Sequence, residues 1–158
     1  MTSLTVSTLS AADPDLPHAA TLFDRYRQFY GQPPQPGRAL EFLRARLSAN
    51  ESVVLLARVS GNVAGLAQLY PGFSSIGCCP TMVLNDLYVD PRYEGMGVGQ
   101  ALVRASMAQG CQRGATSLLL ETGTDNLRAQ RLYERLGFVR SGGFHSYVFK
   151  LPSAGGEA

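Results

Sequence analysis

The chain has 158 residues, 45% of them hydrophobic and 16% charged, with a net charge of +2. That is enough for one sizeable core, and too apolar for disorder, since average soluble chains are roughly 25% charged. The basic residues form no stripe for nucleic acid or an anionic membrane, no apolar run is long enough to span a bilayer, and three cysteines, two of them adjacent, make neither a disulfide framework nor a metal-ligand spacing.

Residues 3–9 alternate as a short strand. From Asp13-Pro14 to Tyr30, Leu16, Ala19, Ala20, Phe23, Tyr26 and Tyr30 recur at helical spacing, with Asp13 as the cap. The proline-rich "GQPPQPG" at 31–37 ends that helix as a loop. Ala39, Leu40, Phe42, Leu43 and Leu47 form the apolar side of a second helix. "SVVLLARVS" and "VAGLAQLY" flank Gly61-Asn62, which predicts a hairpin. Pro71 to Pro80 reads as a loop. "MVLNDLYVD" is a strand apolar enough to be buried on both faces, and a glycine turn follows it directly. Val98, Ala101, Leu102, Ala105 and Ala108 mark a helix that stops near Gly110–Gly114. "TSLLLET" predicts another buried strand. "DNLRAQRLYERLGF" predicts a helix with Ala129, Leu132, Tyr133 and Leu136 on one face and Gly137 as its stop. Phe144 to Leu151 predicts a closing strand.

The expected order is β-α-α-β-β-β-α-β-α-β-β, an α/β fold with a mixed sheet and helices on its faces. The expected organisation is a single domain over residues 1–152 with a flexible tail at 153–158. "MTSLTVSTLS" lacks the basic flank and apolar core of a signal peptide, and with reduced cysteines this predicts a cytoplasmic protein.

The turn "YEGMGVGQAL" carries the first chemical signal. Closely spaced glycines let a backbone approach a ligand and point several N–H groups into one space, and the following helix adds its positive dipole end. No Lys follows Gly99, so the turn is not a P-loop. The spacing Gly95-x-Gly97-x-Gly99, after three earlier strands, is not a dinucleotide fingerprint.

"VDPRYEGMGVGQAL" resembles the coenzyme A pyrophosphate loop of the GNAT superfamily of N-acetyltransferases, Val-x-Pro followed by Arg/Gln-Gly-x-Gly-x-Gly/Ala. "DNLRAQRLYERLGF" is similar to the family's later motif, Asn-x-x-Ala-x-x-Leu-Tyr-Glu-x-x-Gly-Phe. The resemblance covers the whole chain and is most specific between Leu84 and Phe138. It implies the GNAT fold, an acetyl-CoA-dependent N-acetyltransferase with no metal, and a primary amine of a small molecule or a protein lysine as acceptor. It also implies a homodimer formed near the C-terminus. "YRQFY", "AQLYPGFSS" and "LNDLYV" resemble a branch containing yeast-type histone and polyamine acetyltransferases. One departure is Glu94, where the family has Arg or Gln. Its side chain is expected to turn outward, with Arg92 supplying part of the missing charge.

The resemblance implies a role for each motif residue. Leu87, Tyr88 and Val89 would pair with the pantetheine arm, with a main-chain N–H near Leu87 or Tyr88 on the thioester oxygen. Glu94, Gly95, Met96, Gly97, Val98, Gly99 and Gln100 would form the diphosphate loop. Asn126, Arg128 and Ala129 would contribute to the cofactor site from the last helix, with Asn126 equally readable as an N-cap. Tyr133 would protonate the departing thiolate, or simply fill a helix face. Tyr26, Phe29, Tyr30, Asn85 and Asp86 would line the acceptor side, with the three aromatics equally readable as a helix face packed on the sheet. Asp86 could be a base, a cation anchor or a structural acceptor, with Glu121 as a second candidate base. Cys78-Cys79 lacks a nearby base or positive charge, which favours direct attack over an acyl-enzyme. A non-catalytic acyl-CoA sensor is the alternative function.

Overall fold

A computed structural model describes residues 1–154. The chain divides into two compact units, Met1–Thr124 and Asp125–Ala158.

The first unit is built on a five-stranded mixed sheet in the order β1-β2-β3-β4-β5. Its strands are β1 (Leu4–Leu9), β2 (Val53–Val59), β3 (Asn62–Ser74), β4 (Cys79–Val89) and β5 (Leu118–Leu119); its helices are α1 (Leu16–Phe29), α2 (Pro36–Ser48) and α3 (Val98–Gln112). The first four strands are antiparallel neighbours, and β5 runs parallel to β4. On one face α1 and α2 bury Leu16, Ala19, Phe23, Ala39 and Leu43 against Leu9, Val54, Leu56 and Leu66 of the sheet. A fully buried leucine contributes about 1.5–3 kcal/mol, so the leucines of this layer dominate its cohesion. The other face receives α3. A Cβ at Gly65 would lie 3.0 Å from Val98 and 3.1 Å from Leu102, so the missing side chain is what lets α3 seat closely.

The predicted elements are present through the last helix, with local differences. Helix α1 begins at Leu16 rather than Pro14. Asp13 accepts a hydrogen bond from the Asp15 N–H in a turn ahead of the helix, and Asp15 itself is drawn to Arg58. The hairpin turn is Ser60-Gly61, both with positive φ, so the primed turn sits one residue earlier than Gly61-Asn62. Pro71 to Pro80 is not a loop. β3 and β4 stay paired out to Ser74↔Cys79, leaving only residues 75–78 as the turn. Cross-strand pairing overrides the local proline and glycine signals there.

Two expected strands shrink or vanish. "TSLLLET" pairs only at Leu118 and Leu119, against Met82 and Val83, and Leu119 is exposed. For the same reason β4 is not buried throughout: beyond Val83 no strand covers its outer edge among the described residues, and Val83 and Leu87–Val89 are half-buried.

The second unit contains helix α4 (Leu127–Arg135). After Gly137, whose positive φ ends the helix, residues 138–153 run as irregular chain. The expected closing strand at Phe144–Leu151 is therefore absent. An alternating apolar pattern becomes a strand only where its backbone finds a ladder partner, and this segment has none. Of the expected tail, residues 155–158 lie outside the described residues.

Candidate active site

The unpaired stretch of β4 is the centre of the site. Its partner strand shows which backbone groups are free. The Asp90 N–H donates to the Ala64 carbonyl at 2.9 Å, and residues 88 and 86 fall in the same alternating register opposite Leu66 and Gln68. In an antiparallel ladder the intervening residues point the other way. The N–H groups of Leu87 and Val89 therefore face the open edge, and that of Tyr88 faces β3. Of the two residues expected to offer an oxyanion donor, Leu87 has the orientation and Tyr88 does not.

A bulge sets the side chains at the head of this stretch. The register passes from Gln68↔Asp86 to Leu69↔Leu84, so Asn85 is an extra residue with no partner of its own. The bulge leaves Asn85 exposed and turns Asp86 into the face covered by α1, where it is buried. Tyr26 reaches across from α1, its hydroxyl donating to the Asn85 carbonyl at 3.1 Å. Asn85 Nδ2 donates to Asp86 Oδ1 at 2.9 Å, and Gln68 Nε2 donates to Asp86 Oδ2 at 2.6 Å. Of the expected acceptor-side residues, Tyr26, Asn85 and Asp86 thus meet at one point. Phe29 and Tyr30 continue the aromatic row along α1, Tyr30 edge-on to Tyr26 at 5.0 Å, and both are largely exposed. Glu121 is exposed, lies beyond the two paired residues of β5, and makes no hydrogen bond or ion pair with this group. Tyr70, two residues past Gln68, has its phenol pushed up to about 12 by burial and then by the charge of Asp86, so it remains a hydroxyl donor.

The glycine turn follows β4 through Asp90, whose buried carboxylate accepts from the Arg92 N–H at 2.9 Å and from Arg92 Nη2 at 2.7 Å. Arg92 Nε reaches both oxygens as well, at 3.1 and 3.2 Å, and Arg25 of α1 adds a contact at 3.2 Å. Arg92 is thus held by Asp90, and the expected role of compensating for Glu94 would require it to leave a carboxylate two residues away. Gly95 and Gly97 have φ of +76° and +80°, where a side chain is strained, and a Cβ at either would project into open space. Gly97 caps α3 without any side-chain hydrogen bond. The first N–H groups of the helix, from Val98, Gly99 and Gln100, are left for an anion. Glu94 and Met96 are exposed beside them, Glu94 as expected. Among the described residues no group of three His, Cys, Asp or Glu is placed to hold a metal.

In the second unit Asn126 caps α4, its side chain accepting from the Ala129 N–H at 3.2 Å. Arg128 is exposed and Ala129 half-buried on the first turn, and Tyr133 is buried with its ring 5.8 Å from that of Phe138.

The model of the acetyltransferase (GNAT) family matches residues 19–138, about three quarters of the chain. The chain belongs to the GNAT family of acetyltransferases. It is similar to the uncharacterized N-acetyltransferase YhfO of Bacillus subtilis, 40% identical over 134 residues that cover 85% of this chain and 90% of that protein. It is 33% identical over 116 residues to the N-alpha-acetyltransferase RimI of Mycobacterium tuberculosis, covering 72% and 67% of the two chains. The crystal structure of a probable acetyltransferase superposes with a TM-score of 0.84 at 31% identity, covering 96% of this chain and 99% of that one. As a GNAT enzyme the chain is an N-acetyltransferase, and the family moves an acyl group from acetyl-CoA to an amine.

Two residues of the GNAT scaffold escaped the sequence reading. Gln68 sits in the apolar run "GLAQLY", where a lone polar residue reads as a solvent-facing strand position. Gly65 in the same run reads as a weak point rather than a seat for α3. Only the cross-strand register gives either its meaning.

Proposed function

We propose that this chain acetylates a primary amine, of a small molecule or a protein lysine, by direct attack on acetyl-CoA without an acyl-enzyme. The observation that carries this reading is the open edge of β4. It presents the Leu87 and Val89 N–H groups in line, begins at a buried carboxylate and ends at a glycine turn with uncapped helix N–H groups. Acetyl-CoA supplies an activated thioester. In this reading the residues from Gly95 to Gln100 hold the diphosphate, with Gly95, Gly97 and Gly99 allowing close backbone approach and the Glu94 side chain turned away. The backbone of Leu87 to Val89 pairs with the pantetheine arm, and the Leu87 N–H donates to the thioester oxygen as charge develops there. Such donors are worth about 3–4 kcal/mol where they have been removed from other enzymes.

Asp86 anchors the incoming ammonium or takes its proton, with Tyr26, Phe29, Tyr30 and Asn85 around the acceptor. An aliphatic amine near pKa 10.4 must lose a proton before it attacks. By the family motif, Tyr133 would give its hydroxyl proton to the departing thiolate, and Asn126, Arg128 and Ala129 would contribute to cofactor binding. Support for these four residues is the family motif in which they stand. Direct attack is supported by the cysteines. Cys78 is exposed in the β3–β4 turn, and the thiol of Cys79 lies 3.0 Å from the Thr116 hydroxyl, with neither a base nor a cation bonded to either.

The test is acetyl-CoA consumption against a panel of polyamines, amino acids, aminoglycosides and lysine peptides, with Tyr133→Phe as the control. Phenylalanine keeps the ring and removes only the proton. Turnover is expected to fall by up to roughly 10²–10⁴-fold, nearer the lower end because a thiolate leaves readily, with acetyl-CoA affinity unchanged. Unchanged turnover at saturating substrate removes Tyr133 from the mechanism. A folded protein that binds coenzyme A and acetylates nothing in the panel favours the sensor alternative, for which Glu94 and Asn85 are the motivating departures. The same reading places the enzyme in the cytoplasm as a homodimer.

A further inference from the structure

Gln68 is fully buried in the middle of β3, on the face packed by α1 and α2. Its neighbours along the strand on that face are Leu66 and Tyr70, and its cross-strand neighbours are Val54 and Asp86. An amide there has no solvent to satisfy it. Its nitrogen makes a short bond, 2.6 Å, to Asp86 Oδ2, while its oxygen is buried without a donor among the described residues. An unsatisfied buried acceptor costs about 1–3 kcal/mol, so packing alone favours a methionine or leucine at this position. What the amide does that they cannot is hold the carboxylate opposite. Asp86 has two hydrogen-bond partners, the amides of Gln68 and Asn85, and no ion pair among the described residues. Asn85 is the exposed, bulged residue, so Gln68 is the rigid half of the clamp.

We propose that Gln68 is the positioning residue of the acceptor site, fixing Asp86 in the orientation in which its carboxylate meets the acceptor's cationic nitrogen. The proposal rests on the reading of Asp86 given above. A carboxylate with only neutral partners is the charge a cation completes, and it discriminates only if it is held still. A misplacement of about 1 Å in such a group can cost roughly 10²-fold in rate. The titratable groups beside Asp86 are Tyr70 and Tyr88 on the sheet and Tyr26 from α1, and Tyr70 in turn feels Arg46 of α2, which is ion-paired with Glu51.

The experiment compares Gln68→Met and Gln68→Glu with the unaltered enzyme. It uses three measurements: steady-state kinetics with an amine that the panel identifies, acetyl-CoA affinity by calorimetry, and crystal structures that locate the Asp86 carboxylate. Methionine keeps the volume and removes both the donor and the orphaned acceptor. It is expected to leave the thermal midpoint and acetyl-CoA affinity near their starting values. It should lower kcat/KM for the amine by up to roughly 10²-fold. It should also let the Asp86 carboxylate turn away from its place opposite residue 68, because one of its two hydrogen bonds is lost. Glutamate places two carboxylates within hydrogen-bond reach, so they must share a proton, and the acid limb of the kcat/KM profile should move up by roughly a unit or more. An Asp86 carboxylate that keeps its place in Gln68→Met, or a kcat/KM for the amine that does not fall, overturns the proposal. So does a loss of activity that merely tracks a loss of stability and of acetyl-CoA affinity. If the unaltered enzyme acetylates no amine, the functional reading fails by itself, and the crystal structures still decide whether Gln68 holds Asp86 in place.

Discussion

At the scale of single residues, Asp90 shows how a buried charge becomes a structural pin. It is almost fully buried, yet two guanidinium groups and a backbone N–H converge on its oxygens. The hydrogen bonds from Arg92 dominate, and Arg25 adds to them. Against the opposing effect of burial, they hold the carboxyl below its ordinary 3.8, at about 2. The sign of the pH dependence follows. A carboxylate depressed in the folded state contributes stability that is fully present above its unfolded pKa and is lost as pH falls through its folded one. For Asp90 that window runs from about pH 4 down to about pH 2. Asp90→Asn is therefore expected to lower the urea midpoint at pH 7. The cost should be about 1–3 kcal/mol, because both arginines retain water when the charge is gone. The difference from the unaltered protein should narrow as denaturation is repeated toward pH 2. A difference of constant size across that range would mean the charge of Asp90 contributes nothing. Gln68 and Asp86 make a contrasting pair: among the described residues, amides are the hydrogen-bond partners of that carboxylate.

At the scale of elements, helix α3 depends on two glycines for different reasons. Gly65 has no room: a Cβ would lie 2.9 Å from the Tyr88 carbonyl oxygen and 3.0 Å from Val98. Gly97 has room but the wrong backbone for a side chain, at φ +80°. Gly65→Ala is expected to lower stability by about 1–3 kcal/mol through overpacking. Gly97→Ala costs about 1–2 kcal/mol of left-handed strain, or relaxes the turn to avoid it. It should weaken coenzyme A binding in calorimetry more than Gly65→Ala does, relative to each variant's change in thermal midpoint. Equal losses of affinity from both would place the binding determinant elsewhere than in the turn. Of these two positions only Gly97 was legible in the sequence, because its neighbours Gly95 and Gly99 repeat it between a strand and a helix. The hairpin, though placed one residue late at Gly61-Asn62, and the apolar faces of α1 and α3 were legible for the same kind of local reason. What was not legible depends on pairing between distant residues. The bulge at Asn85, the outward turn of Leu87, the extension of β3 and β4 through Pro71 and Pro80, and the two-residue length of β5 are all decided by the neighbouring strand. Gln68 was hidden because a polar residue in a strand looks solvated until its cross-strand partner is known.

At the scale of the whole molecule, the exposed apolar surface is concentrated late in the chain. Phe144 and Tyr147 are each 92% exposed, and Val148, Phe149 and Leu151 follow at 83–87%. Five large exposed apolar side chains fall within these eight residues, and exposed apolar surface gathered in one place is what an association surface uses. A second copy of the chain is the simplest partner, since one self-complementary patch repeated about a two-fold axis closes the assembly. Light scattering across micromolar concentrations is expected to return twice the chain mass of 17.0 kDa. Phe149→Lys combined with Val148→Lys should shift that mass toward one chain as concentration falls, because two desolvated cations would oppose association. Since both side chains are exposed within the single chain, the double variant should leave the urea midpoint of the dissociated protein unchanged. A single-chain mass for the unaltered protein at every concentration would remove the dimer. In that case the patch would have to be covered within its own chain, and the double variant should then lower the urea midpoint of the monomer, which distinguishes the two outcomes directly.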